Sequence, residues 1–136
     1  MSPLTSFLSK LFGLYCVIFA LTMFAHPSAT IAEIQSLIGS PAAILTLSVT
    51  LLAAGIAMVV GHNVWTGGLP TILVTLFGWA TFLKALVVAF LTPQGLAVYY
   101  NSFHYEDFFY VYASVLLIIG AYLTYGGFAQ TWRTSR

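Results

Sequence analysis

Residues 34–83, IQSLIGSPAAILTLSVTLLAAGIAMVVGHNVWTGGLPTILVTLFGWATFL, run for fifty positions without an Asp, Glu, Lys or Arg. A membrane helix rises 1.5 Å per residue and needs about 20 mostly apolar residues to cross a hydrocarbon core of about 30 Å. Fifty are too many for one crossing and enough for two with a turn between them. Ser40-Pro41 opens the first, Gly61-His62-Asn63 closes it, and Thr66-Gly67-Gly68 leads to Pro70, which opens the second.

The same reading extends outward. Charges stand only at Lys10, Glu33, Lys84, Glu106, Asp107, Arg133 and Arg136, leaving charge-free gaps of 22, 50, 21 and 25 residues. The apolar runs and their stops predict spans at about 8–25, 42–60, 70–91 and 108–128, an all-α four-helix transmembrane bundle forming a single integral membrane domain over 1–136. Composition agrees: 60% of residues are hydrophobic, 5% are charged, and the mean hydropathy is +0.98. A soluble domain carries about 25% charged residues, so this chain lacks the polar surface to coat a water-facing globule. Four cations provide no basic stripe for a phosphate backbone, which excludes nucleic acid and leaves the lipid bilayer as the first partner. The single cysteine, Cys16, excludes an intrachain disulfide, a Cys-x-x-Cys redox pair and a multi-cysteine zinc site.

Lys10, Arg133 and Arg136 flank the outer ends of the first and last spans, while Glu33, Glu106 and Asp107 lie in the two long connections. The positive-inside bias then places both termini in the cytoplasm. No small-x-small cleavage site follows Phe24-Ala25-His26-Pro27, so the first span reads as a crossing and not as a signal peptide. In the first long connection, Thr30-Ile31-Ala32-Glu33 has the capping-box pattern and predicts a short interfacial helix over about 29–38. The second, with Tyr99, Tyr100, Phe103, His104 and Tyr105, reads as a loop carrying an aromatic belt at headgroup level. Phe24-Ala25-His26-Pro27 and Phe90-Leu91-Thr92-Pro93 recur 66 residues apart; three matching features are weighed as coincidence and carry no architecture.

Small residues recur at Thr46, Thr50, Ala54, Ala57 and Gly61 in the second span and at Thr71, Gly78, Thr81 and Ala85 in the third. They let helices approach closely in lipid; packing within one bundle is the first reading and a subunit interface the second.

Lys84 is the candidate intramembrane charge. An unpaired ammonium near the bilayer centre costs about 2.5–3.5 kcal/mol on insertion scales, so it must snorkel, find a carboxylate or line a wet cavity. Glu33, Glu106 and Asp107 are its expected partners, with Glu106 or Asp107 preferred. A metal site from His26, His104, Glu106 and Asp107 is weighed and set aside, because His104-x-Glu106 lacks the spacing that puts both groups on one helical face. Bis-histidine haem ligation by His26 and His104 is poorer still, both residues lying at helix ends. No nucleophile with a base and no phosphate loop appears, so no catalytic residue, cofactor or metal is assigned.

The remaining motif is the turn His62-Asn63-Val64-Trp65, followed by Gly78-Trp79 and then Lys84. Residues 62–84 resemble a segment of small four-span bacterial inner-membrane proteins of uncharacterised function. The resemblance implies a bacterial inner-membrane origin and carries no catalytic role. By itself, His62-Asn63 reads as helix termination with Trp65 as an interface anchor. The functional expectation is a non-enzymatic oligomeric or accessory subunit, partnered by copies of itself or by a larger membrane complex. One alternative is a small transporter or channel for an anionic or lipid-like substrate using Lys84. In span number the chain is similar to small multidrug-resistance transporters, but residues 11–25 contain no counterpart of their first-span glutamate. The other alternative is a metal- or haem-binding membrane protein.

Overall fold

The computed structural model describes residues 2–134, with side chains as far as Ala129, so Arg136 and the side chains of Trp132 and Arg133 lie outside what is described. Six helices follow one another: α1 Pro3–Ala25, α2 Pro27–Ile38, α3 Pro41–Gly61, α4 Leu69–Phe90, α5 Pro93–Ser102 and α6 Phe109–Thr134. Four of them, α1, α3, α4 and α6, are long and apolar enough to cross a membrane, and the chain is a multi-pass membrane protein.

Every proline in the chain opens a helix: Pro3, Pro27, Pro41, Pro70 and Pro93 occupy the first or second helical position, where the missing N–H costs nothing and φ is already set. Ser2, Ser40 and Thr92 cap their helices, accepting from the backbone N–H of Thr5, Ala43 and Gly95. Gly68 precedes α4 at φ +105° and Gly67 stands at +106°, a backbone that glycine adopts without strain.

Two expectations about the connections are corrected. The first short helix begins at Pro27, so Thr30 and Glu33 lie inside it and no capping box forms; the Thr30 hydroxyl donates back to the His26 carbonyl. The second connection is not an open loop, because Thr92-Pro93 starts α5 just as His26-Pro27 starts α2. These short helices touch across one end of the bundle. The opposite end holds the α3–α4 turn, where Thr5 of α1 reaches His62 and Ser6 donates to the Gly127 carbonyl of α6.

The long helices form two tight antiparallel pairs, α1 with α6 and α3 with α4, joined chiefly where α1 meets α4. A different offset relates the two halves. Aligned at an offset of 65, Leu11-Phe12-Gly13 matches Leu76-Phe77-Gly78, Ala20-Leu21 matches Ala85-Leu86, and Leu51-Leu52 with Gly55 and Gly61 matches Leu116-Leu117 with Gly120 and Gly126. The contacts match as well. A Cβ on Gly120 would stand 2.9 Å from Val17 N, and one on Gly55 would stand 2.8 Å from Phe82 N; Val17 and Phe82 are themselves 65 apart. The central cluster contains the equivalent pairs Leu8 with Leu73, Phe12 with Phe77, and Met58 with Leu123. Phe12 and Phe77 stack on each other at 5.9 Å, as equivalent residues beside a two-fold axis would. The two long–short–long halves thus pair their long helices in the same way, α1 with α6 and α4 with α3, as two copies of one unit would.

Candidate functional site

Lys84 lies six residues before the end of α4, about 9 Å of helical rise below it. The expected tie to an acid does not form. The Lys84 ammonium sits 6.0 Å from the ring centroid of Tyr100 on α5, and among the described residues it makes no ion pair. The acids are engaged or placed elsewhere. Glu106 accepts from the Gln35 side-chain amide of α2, Asp107 lines the same recess of about 310 Å³ under α2, and Glu33 is exposed on α2. The turn from Phe103 to Phe108 sets both acids beside α2.

What Lys84 does line is a cleft of about 490 Å³ bounded by α1, α4, α5 and α6. Tyr15, Phe19, Phe77, Tyr100, Phe103 and Tyr112 are among its walls, and Cys16 lies against them, fully buried. α5 forms the roof of this cleft: Tyr99 packs edge-on to Phe103, and the Tyr112 hydroxyl donates to the Phe103 carbonyl. Tyr105, in the turn beside it, stacks on Tyr112, and burial together with Tyr100 and Tyr112 raises its phenol above the ordinary range. The site is therefore an open, mostly apolar aromatic cleft with one exposed cation in its wall. Sequence reasoning singled out the cation and the belt but missed that α5 brings them together; the signal was the Thr-Pro helix start at position 92.

The duplication supplies an internal control. The residue equivalent to Lys84 in the first half is Phe19. Packing at this register therefore requires no charge, and the ammonium is an addition to one half only.

The turn motif has a structural explanation. His62 is 2% exposed; its N–H closes α3 on the Met58 carbonyl, and its ring bridges Thr5 of α1 at 2.9 Å and Thr75 of α4 at 3.3 Å. Asn63 Oδ1 accepts from the indole N–H groups of both Trp65, at 2.8 Å, and Trp79, at 3.3 Å. The motif His-Asn-x-Trp with Gly-Trp downstream is thus a clasp holding the α3–α4 turn to α1. His104, at φ +47°, and His26, between α1 and α2, gather no third ligand: no group of three His, Cys, Asp or Glu assembles among the described residues.

Comparison with family models, with curated proteins and with solved structures finds no match to this chain.

Proposed function

We propose that the protein is a non-enzymatic subunit of a bacterial inner membrane, with both termini cytoplasmic, that associates with further copies of itself through the outward face of α3. The bacterial assignment rests on the likeness of residues 62–84 noted above, and the orientation on the distribution of Lys10, Arg133 and the three acids.

One observation carries the association. Most small residues of α3 do not pack inside the bundle: Thr46, Thr50, Ala53, Ala54, Ala57 and Gly61 are all exposed, whereas Ser48 and Gly55 are buried, Gly55 against Phe82 of α4. The first reading of that stripe is thereby corrected for α3, while Thr71, Gly78 and Ala85 of α4 do pack inward. At the equivalent exposed positions of α6 the chain has Val111, Val115, Ile118 and Tyr122, where α3 has Thr46, Thr50, Ala53 and Ala57. One half dresses this face with bulky groups suited to lipid, and the other strips it to residues that let a second helix approach. α3 is also the least covered of the four spans, with 11% of its window buried against 22–33% for the others.

Native mass spectrometry from mild detergent tests this reading. The wild-type chain is expected as a dimer or larger assembly, and Ala53→Ile with Ala57→Tyr, which copy α6 onto α3, as a folded monomer. A wild-type monomer, or an assembly indifferent to that double change, would remove the proposal.

A further inference from the structure

We infer that the cleft between α1, α4, α5 and α6 binds a single-chain anionic amphiphile, its headgroup on Lys84 and its chain among the aromatic walls. This goes beyond the subunit role, and α3 contributes nothing to the cleft.

Four features point the same way. The open cleft has about 490 Å³, within the range of small-ligand sites, and its walls are mostly apolar, with tyrosine hydroxyls and Lys84 among them. A volume of this size is that of one acyl chain, which is the basis of the single-chain assignment. Lys84 is a charge that the other half does without; it is exposed on the protein surface, so its place within a membrane span, where an ammonium is costly, is not explained by packing. Its contact, the face of Tyr100 at 6.0 Å, is a weak attraction that an anion can displace or share. Finally, none of the three acids pairs with it: the turn sets Glu106 on Gln35 and Asp107 in the recess beside α2, and Glu33 stands exposed on α2, which leaves the ammonium available to an anion from outside the chain.

Position favours an amphiphile over a free anion. Lys84 lies about one and a half turns below the end of α4, so a headgroup that reaches it must descend between apolar walls, and an attached chain makes that descent favourable.

The test uses the full-length protein in a neutral detergent and three probes: oleate, lysophosphatidylcholine and dioleoylphosphatidylglycerol. Oleate is expected to bind once per chain, more tightly than the zwitterionic single-chain lipid or the anionic two-chain lipid. Lys84→Met should weaken oleate binding about tenfold or more, the loss of one charge-assisted hydrogen bond, and Lys84→Arg should restore it. Val115→Trp, which fills the cleft from the exposed side of α6, should abolish it with Lys84 intact. Equal binding of oleate and lysophosphatidylcholine to the wild-type protein overturns the role of the charge, even if Lys84→Met fails to fold. Phosphatidylglycerol binding as tightly as oleate overturns the single-chain assignment, and oleate binding unaffected by Val115→Trp overturns the location. Each readout is independent of association through α3, so the two proposals can fail separately.

Discussion

Gly120→Val and Gly55→Val are expected to cost about 3 kcal/mol or more each, and to cost about the same as each other. Enlarging a residue in a packed core costs about 1–3 kcal/mol when flexible side chains can yield. Here they cannot. A Cβ at Gly120 would stand 2.8 Å from Cys16 Cβ and 2.9 Å from Val17 N, and one at Gly55 would stand 2.6 Å from Phe82 Cα and 2.8 Å from its N. Those obstacles are the backbone and Cβ of a facing helix, so α1 must leave α6, or α4 must leave α3, along its whole length. The measurement is the thermal midpoint of purified protein, expected to fall by about 10 °C in each variant. Gly61→Ala provides the contrast: nothing lies within 4 Å of a Cβ there, and the change should be within about 0.5 kcal/mol of neutral. If the Gly55 and Gly120 variants behaved like the Gly61 one, or unlike each other, neither the close helix approach nor the duplicated relation between the pairs would survive.

The spans were legible because the features that set them are local. A charge or a proline announces itself by identity: Pro3, Pro41 and Pro70 open α1, α3 and α4, Glu106 and Asp107 precede α6, and the long charge-free runs mark the apolar lengths between. The second short helix was missed although Thr92-Pro93 announced it. Gly95 and Asn101 weaken its helical pattern, and the density of rings from Tyr99 to Tyr105 reads equally as a belt. The duplication was hidden by one residue. The spans repeat at 65 but the Phe-x-x-Pro stops at 66, because the register slips between Leu21 with Leu86 and Phe24 with Phe90, so that no single offset aligns both features. The partner of Lys84 was not legible at all. Coulomb's law makes three nearby acids the obvious candidates, and only the path of the turn from Phe103 to Phe108, which puts Glu106 against Gln35, shows why an aromatic ring takes their place. Likewise, which side of α3 faces outward depends on its partner helix, and small residues are compatible with either.

His62→Ala is expected to cost about 3 kcal/mol, far more than Asn63→Ala beside it. His62 is 2% exposed and ties together three helices, whereas Asn63 is exposed and joins two indoles at the rim. Removing the ring leaves a cavity and strips two buried hydroxyls of a partner, each a separate penalty; removing the Asn63 amide costs about 1 kcal/mol, the net worth of an exposed hydrogen bond. The network also fixes which ring nitrogen carries hydrogen. Thr75 Oγ1 lies 2.6 Å from the Val64 carbonyl and 3.1 Å from that of Thr71, and both oxygens can only accept. The single hydroxyl proton of Thr75 therefore goes to a carbonyl, and toward His62 this oxygen must accept. In the uncharged ring, Nδ1 is then the donor, and Nε2 accepts from Thr5, whose hydroxyl in turn lies 2.8 Å from that of Ser2. Nitrogen-15 spectra of labelled histidine should show the Nδ1–H form for His62. Thr75→Val, which keeps the shape and removes the acceptor, should cost less when added to His62→Ala than when made alone, because the two residues act through one bond. Strict additivity, or a His62 ring in the opposite tautomer, would mean that the clasp between α1, α3 and α4 is held by packing alone.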